Sequence, residues 1–224
     1  MSDPTADPRP STPEAPSGKP RPRHFSMLRS LALADLITIG NAASGTVAIL
    51  LCLAYVEERH RPTLWTALAL FPVALVCDVA DGMVARWRHK SSPYGADLDS
   101  LADIVSFGVA PAVLGFALGL RGAWDAVILT YFVACGIGRL ARFNVTAPAL
   151  MTDKGKVSHF QGTPIPTSLI LVAVWAIAFA LGAVHEDVWW GVWQLGPWQL
   201  HPFALVYAVS GSAMISATLK IPKP

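Results

Sequence analysis

The sequence predicts an all-α, polytopic integral membrane protein with six transmembrane helices and an N-terminal interfacial helix. Three observations lead there. First, 53% of the 224 residues are hydrophobic and only 14% are charged, with a mean hydropathy of +0.46; soluble domains carry about a quarter charged residues. Second, apolar segments of about 20 residues recur along the chain, the length that spans a bilayer. Third, the basic residues fall on alternating sides of those segments, as the positive-inside rule requires. Backbone groups in lipid must bond internally, and no ten-residue alternating pattern suggests a barrel.

The elements follow in order. Residues 1–24, "MSDPTADPRPSTPEAPSGKPRPRH", are rich in proline, serine and charge. They read as a disordered cytosolic tail, and they lack the apolar run of a signal peptide. Residues 25–224 form one membrane domain. Span 1 covers about 30–56, and its amphipathic first turns suit the interface. Span 2 covers about 63–87, span 3 about 95–120, span 4 about 123–143, span 5 about 165–184 and span 6 about 201–218.

With the N-terminus inside, the cytosolic side holds Arg9, Lys19, Arg21, Arg23, Arg29, Arg86, Arg88, Lys90, Arg139, Arg142, Lys154, Lys156, Lys220 and Lys223. The outside holds Arg59, Arg61 and Arg121. Fourteen against three favours an even number of spans, with both termini cytosolic. The outer loop "VHEDVWWGVWQLGPWQLH" carries Trp189, Trp190, Trp193 and Trp198, side chains that favour the membrane interface. Cys52, Cys77 and Cys135 lie in apolar segments without a CxxC pair and read as small buried residues. The net charge of +2 is small, and no nucleic-acid partner is expected.

The stretch "CDVADGMVARWRHKSSPYGADLDSLAD" holds five aspartates between two apolar runs. Asp78 and Asp81 lie at the cytosolic end of span 2, and Asp99 and Asp103 at the cytosolic start of span 3. Spacings of three and four put each pair on one helix face. The short loop "WRHKSSPY" makes the two helices antiparallel neighbours, so all four carboxylates can converge. Asp97 points away. A solvated helix end is the plain explanation for any single aspartate here, but two pairs on adjacent helices are a candidate site. Oxygen-rich clusters suit hard divalent cations such as Mg²⁺ or Mn²⁺, and two ions would neutralise four carboxylates. Paired ions are a recurring device of phosphoryl transfer. Gly82 and Gly95 leave room for a ligand, Arg86 can reach an anion, and Ser92 offers a hydroxyl.

The pattern Asp78-x2-Asp81-Gly82-x2-Ala85-Arg86-x8-Gly95-x3-Asp99-x3-Asp103 resembles the signature of the CDP-alcohol phosphatidyltransferases. All eight specified positions are present, and the six-span layout extends the resemblance over about residues 28–220. The resemblance implies transfer of the phosphatidyl group of CDP-diacylglycerol to an alcohol, with release of CMP. It implies that Asp78, Asp81, Asp99 and Asp103 bind two divalent ions and that Asp103 is also the general base. By the same resemblance Asn41, Ser44, Asp78, Gly82, Arg86, Ser92 and Gly95 hold the CDP-lipid. Gly40-x3-Ser44 is also a small-residue helix-packing pattern. A homodimer in the cell membrane is implied as well.

The flanks bear on the acceptor. "LDSLADIVSFGVAPA", "GRLARFNV" and "FQGTPIP" resemble the branch of the family that uses L-serine, the last with Thr163-Pro164-Ile165-Pro166 in place of the expected Leu-Pro-Ser-Pro. Arg139, Arg142 and Asn144 are the acceptor-binding candidates. The two arginines share a face at the cytosolic end of span 4, where they also satisfy the positive-inside bias and a helix C-terminus. Glycerol 3-phosphate or inositol phosphate would suit two arginines equally. A transporter is the alternative of another class. It would place its acids nearer the bilayer midplane, and a membrane scaffold would leave the cluster without a purpose.

Overall fold

The computed structural model describes residues 33–87, 93–146, 159–216 and 220–222, all within the unit Ala32–Pro224. The expected tail and interfacial helix lie outside the described residues. Helix α1 (Leu33–Glu58) runs into a tight turn and is followed by α2 (Arg61–Trp87). Arg59 closes α1 with φ 54°, its N–H bonding to the Tyr55 carbonyl at 2.9 Å. Pro72 lies inside α2; transmembrane helices tolerate proline because neighbouring helices and side chains re-satisfy the freed carbonyl.

The third crossing is composite. Helix α3 (Pro93–Asp103) passes through a π-helical stretch, Ile104–Val109, into α4 (Ala110–Leu118). It is the central helix: 67% of its apolar window is buried, against 28% for α1, α2 and α5 (Ala123–Thr146). Small residues make this possible. A Cβ on Gly45 of α1 would lie 2.7 Å from the Ser106 Cα and closer still to its Oγ, so only glycine lets α1 approach the π stretch.

These four helices are long and apolar enough to cross a membrane. Two shorter apolar segments follow, Ile165–Leu181 and Pro202–Ile215. Each begins with a 3₁₀ turn, Ile165–Ser168 and Pro202–Ala204, and continues as α6 (Leu169–Leu181) and α7 (Leu205–Ile215). At 17 residues the longer one is about 26 Å long at 1.5 Å per residue.

The expectation of a purely helical chain needs one amendment. Strand β1 (His159–Gln161) pairs antiparallel with β4 (Lys220–Pro222), and β2 (Trp193–Leu195) with β3 (Trp198–Leu200). The first ladder joins the chain before α6 to the chain after α7, so both lie at one end of the bundle. The second is a hairpin at the other end, tied down by Trp124 Nε1 donating to the Leu195 carbonyl at 3.2 Å. Three-residue strands fall below any alternation a sequence can display.

The hairpin end is pinned by a buried pair. The Asp125 carboxylate accepts from His201 Nδ1 at 2.6 Å, from the His201 N–H at 2.8 Å and from the Gly122 N–H at 2.8 Å. Asp125 thereby satisfies an orphan donor at the α5 N-terminus. In the core, the Tyr207 hydroxyl accepts from Trp175 Nε1 at 2.9 Å and donates to the Pro111 carbonyl at 2.8 Å, joining α7, α6 and α4. The outer faces are apolar, with Leu36, Leu50, Val76, Ile170, Ile177 and Val209 all more than half exposed. Such a surface suits lipid rather than water.

Candidate active site

Antiparallel packing of α1 on α2, with α3 beside both, sets the geometry of the site. Asp78 and Asp81 come from the last turns of α2, and Asp99 and Asp103 from α3 just before the π stretch. One carboxylate oxygen from each of Asp78, Asp99 and Asp103 lies within 4.8 Å of the others. Asp81 stands beside this trio, with its Oδ2 accepting from Thr38 Oγ1 at 2.6 Å. Asp103 Oδ1 accepts from Asn41 Nδ2 at 3.2 Å. Asn41 is fully buried, and its backbone carbonyl accepts from Ser106 Oγ at 2.9 Å. The π stretch thus begins immediately after Asp103 and clamps the α1 turn that holds it; such stretches often mark functional sites.

The donor set fits a hard cation. Three carboxylates cannot share so small a space as anions without compensating positive charge. Asp99 Oδ1 and Asn41 Oδ1 are buried and have no hydrogen-bond partner among the described residues. A divalent ion takes oxygen ligands of this kind, and Asp78, Asp99 and Asp103 are the residues that could hold it.

The other expected residues are distributed as follows. Ser44 donates to the Gly40 carbonyl within α1 at 2.9 Å, and Gly40 faces Cys77 of α2. Gly82 lies on α2 and Gly95 on α3. Ser92 and the Arg86 side chain fall outside the described residues. Arg139 on α5 stands within electrostatic reach of Asp103, with its Nε buried and without a hydrogen-bond partner among the described residues. Arg142 is exposed. Asn144 does not face the carboxylates: its Oδ1 accepts from Ser100 Oγ at 3.2 Å, and its Nδ2 lies 3.4 Å from Asp97 Oδ1. Asp97 is exposed and outside the trio.

Sequence reasoning missed Thr38 and assigned Ser106 no contact. The signal available for Thr38 was its spacing of three from Asn41, which places both on one face of α1.

A bundle of apolar helices with a cluster of four aspartates at one end, two of them held by polar side chains of the first helix, defines a class, and the sequence agrees: the chain belongs to the CDP-alcohol phosphatidyltransferases, whose family pattern it matches over residues 31–208. It is similar to the CDP-diacylglycerol–serine O-phosphatidyltransferase of Saccharomyces cerevisiae, with 43% identity over 204 residues, 90% of this chain and 74% of that protein. It is similar to the archaetidylserine synthase of Methanothermobacter thermautotrophicus, with 36% identity over 146 residues, 64% of this chain and 57% of that one. A CDP-diacylglycerol–serine O-phosphatidyltransferase of Mycobacterium tuberculosis is 33% identical over 188 residues, 81% of this chain and 60% of its own length. The chain therefore spans less than two thirds of the archaeal and mycobacterial relatives.

Proposed function

We propose that this protein transfers the phosphatidyl group of CDP-diacylglycerol to the hydroxyl of L-serine, giving phosphatidylserine and CMP. The observation that carries the reading is the convergence of Asp78, Asp99 and Asp103 at one end of the bundle. The choice of serine is supported by the names of the relatives and by the flanks around Ser106 and Arg139.

In this reading Asp78, Asp81, Asp99 and Asp103 hold two divalent ions, Mg²⁺ or Mn²⁺. When bound, the ions would supply positive charge to the diphosphate as the bond to CMP breaks. Asp103 accepts the proton of the serine hydroxyl, whose oxygen forms the new bond to the lipid-side phosphorus while CMP departs with the electrons of the broken bond. The Asn41 amide occupies one Asp103 oxygen and leaves the other to act as base. Arg86, with Gly82, Gly95, Ser92, Asn41 and Ser44, binds the CDP moiety. Arg139 offers planar donors to the serine carboxylate, whereas exposed Arg142 and the Asn144 clamp stand further from the reaction.

The architecture belongs to the same proposal: six crossings, both termini cytosolic, the site on the cytosolic face of the cell membrane, and a homodimer, which rests on the family resemblance. The β1–β4 ladder supports an even number of crossings between its strands.

The test is a product assay on purified protein. CDP-diacylglycerol and L-serine should give CMP and phosphatidylserine, and chelator should abolish both until Mg²⁺ or Mn²⁺ is restored. Product from glycerol 3-phosphate or inositol phosphate, with none from serine, would refute the acceptor. No CMP release with any acceptor would refute the transfer.

A further inference from the structure

One buried polar side chain outside the aspartate motif reaches directly into the carboxylate cluster. Thr38 is 4% exposed and Asp81 6% exposed, and Thr38 Oγ1 lies 2.6 Å from Asp81 Oδ2. A hydroxyl has one proton, and two acceptors compete for this one: Asp81, and the Ala34 carbonyl at 3.0 Å. The contact with the carboxylate is the shorter of the two. The Asp81 carboxylate of α2 is thereby held from α1.

The consequence is a division among the four aspartates. Asp78, Asp99 and Asp103 crowd within 4.8 Å of one another, whereas Asp81 is tied to α1 and stands outside that trio. A fourth anion free to swing would be driven away from three others; a tethered one keeps a fixed place beside them. Asn41, one turn further along the same face of α1, does the same for Asp103.

We propose that Thr38 is a positioning residue for the divalent-cation site: its hydroxyl anchors one Asp81 oxygen, so that Asp81 serves the site as a separately held fourth carboxylate. The inference rests on the metal-centre reading above and adds a residue that the aspartate pattern does not contain. Thr38→Val keeps the branched shape and removes the donor, while Thr38→Ser keeps the donor and removes a methyl group. A hydrophobic replacement beside α2 is compatible with folding, and the serine variant controls for packing.

The experiment is a Mn²⁺ titration of detergent-purified protein without substrate, reading free Mn²⁺ by electron paramagnetic resonance. Groups that orient metal ligands typically change affinity about 10- to 100-fold, so Thr38→Val should weaken Mn²⁺ binding by that factor. Thr38→Ser should bind nearly as tightly as the parent. Unchanged binding in Thr38→Val, or a serine variant as weak as the valine one, would overturn the role of Thr38 and leave the metal centre standing. A parent protein that binds no Mn²⁺ would overturn both.

Discussion

At the scale of single residues, the site turns on how each carboxylate is held. Asp103 has one oxygen bonded to Asn41, which leaves its other oxygen to receive a proton. Asp103→Asn keeps size and an oxygen donor but removes most basicity. It should still bind CDP-diacylglycerol while turnover falls by about 10²–10⁴-fold, the usual contribution of a general base; a kcat within a few-fold of the parent would show that the proton leaves by another route. Arg139 and Arg142 differ in burial, so the two should not respond alike. Arg139→Lys retains charge but loses the planar fork, and the KM for serine should rise about ten- to a hundredfold, as expected for loss of a charge-assisted contact. The KM for the CDP-lipid should change much less. Arg142→Lys should leave both nearly unchanged. An Arg139→Lys enzyme with the parent's serine KM would return Arg139 to a topology anchor.

At the scale of elements, the end of the bundle opposite the site shows how loops are locked together. The turn after α1, the loop after α4 and the turn after α6 meet around His185. Its Nε2 lies 3.0 Å from the Tyr55 hydroxyl, and its backbone would meet a Cβ on Gly119 at 2.9 Å. Burial, with Arg59 and Arg121 nearby, lowers the His185 pKa to about 4. Because the folded value lies below the ordinary value of about 6.5, the unfolded chain takes up the proton first as pH falls. The contribution of His185 is therefore fully present above pH 6.5, declines below it and is exhausted once pH passes about 4. Thermal unfolding in detergent should show a Tm that drops from pH 7 to pH 5, with a smaller drop in His185→Gln. Equal drops in the two proteins would mean that other groups carry the acid sensitivity.

At the scale of the whole molecule, the bundle has two chemically different ends. One carries the aspartates, Thr38, Asn41 and Arg139; the other carries the tryptophan hairpin, the Asp125–His201 pair and the three arginines of the smaller set. In the proposed orientation, which follows the positive-inside rule, the aspartate end faces the cytosol. A cysteine introduced at Ser91 should label with a membrane-impermeant reagent only from the cytosolic side, and one at Glu186 only from the outside. The reverse pattern would overturn the orientation and the cytosolic site together.

Hydropathy is a property each residue carries wherever it sits, so the membrane class and the places of the long apolar helices were legible in the sequence. Helical spacing is equally local, which is why the pairing of Asp78 with Asp81, and of Asp99 with Asp103, follows from their separation along the chain alone. What the sequence could not contain was how the helices are rotated against one another. That rotation sets Thr38 against Asp81, 43 residues away, and Asn41 against Asp103, 62 residues away. It half-buries Arg139 while Arg142, three residues on, stays exposed, and it engages Asn144 with Ser100 and Asp97 instead of the site. A close approach at Gly45 and a π-helical stretch after Asp103 accompany these pairings. Both arise from packing between helices, and packing depends on which surfaces meet, so only the tertiary structure could decide them.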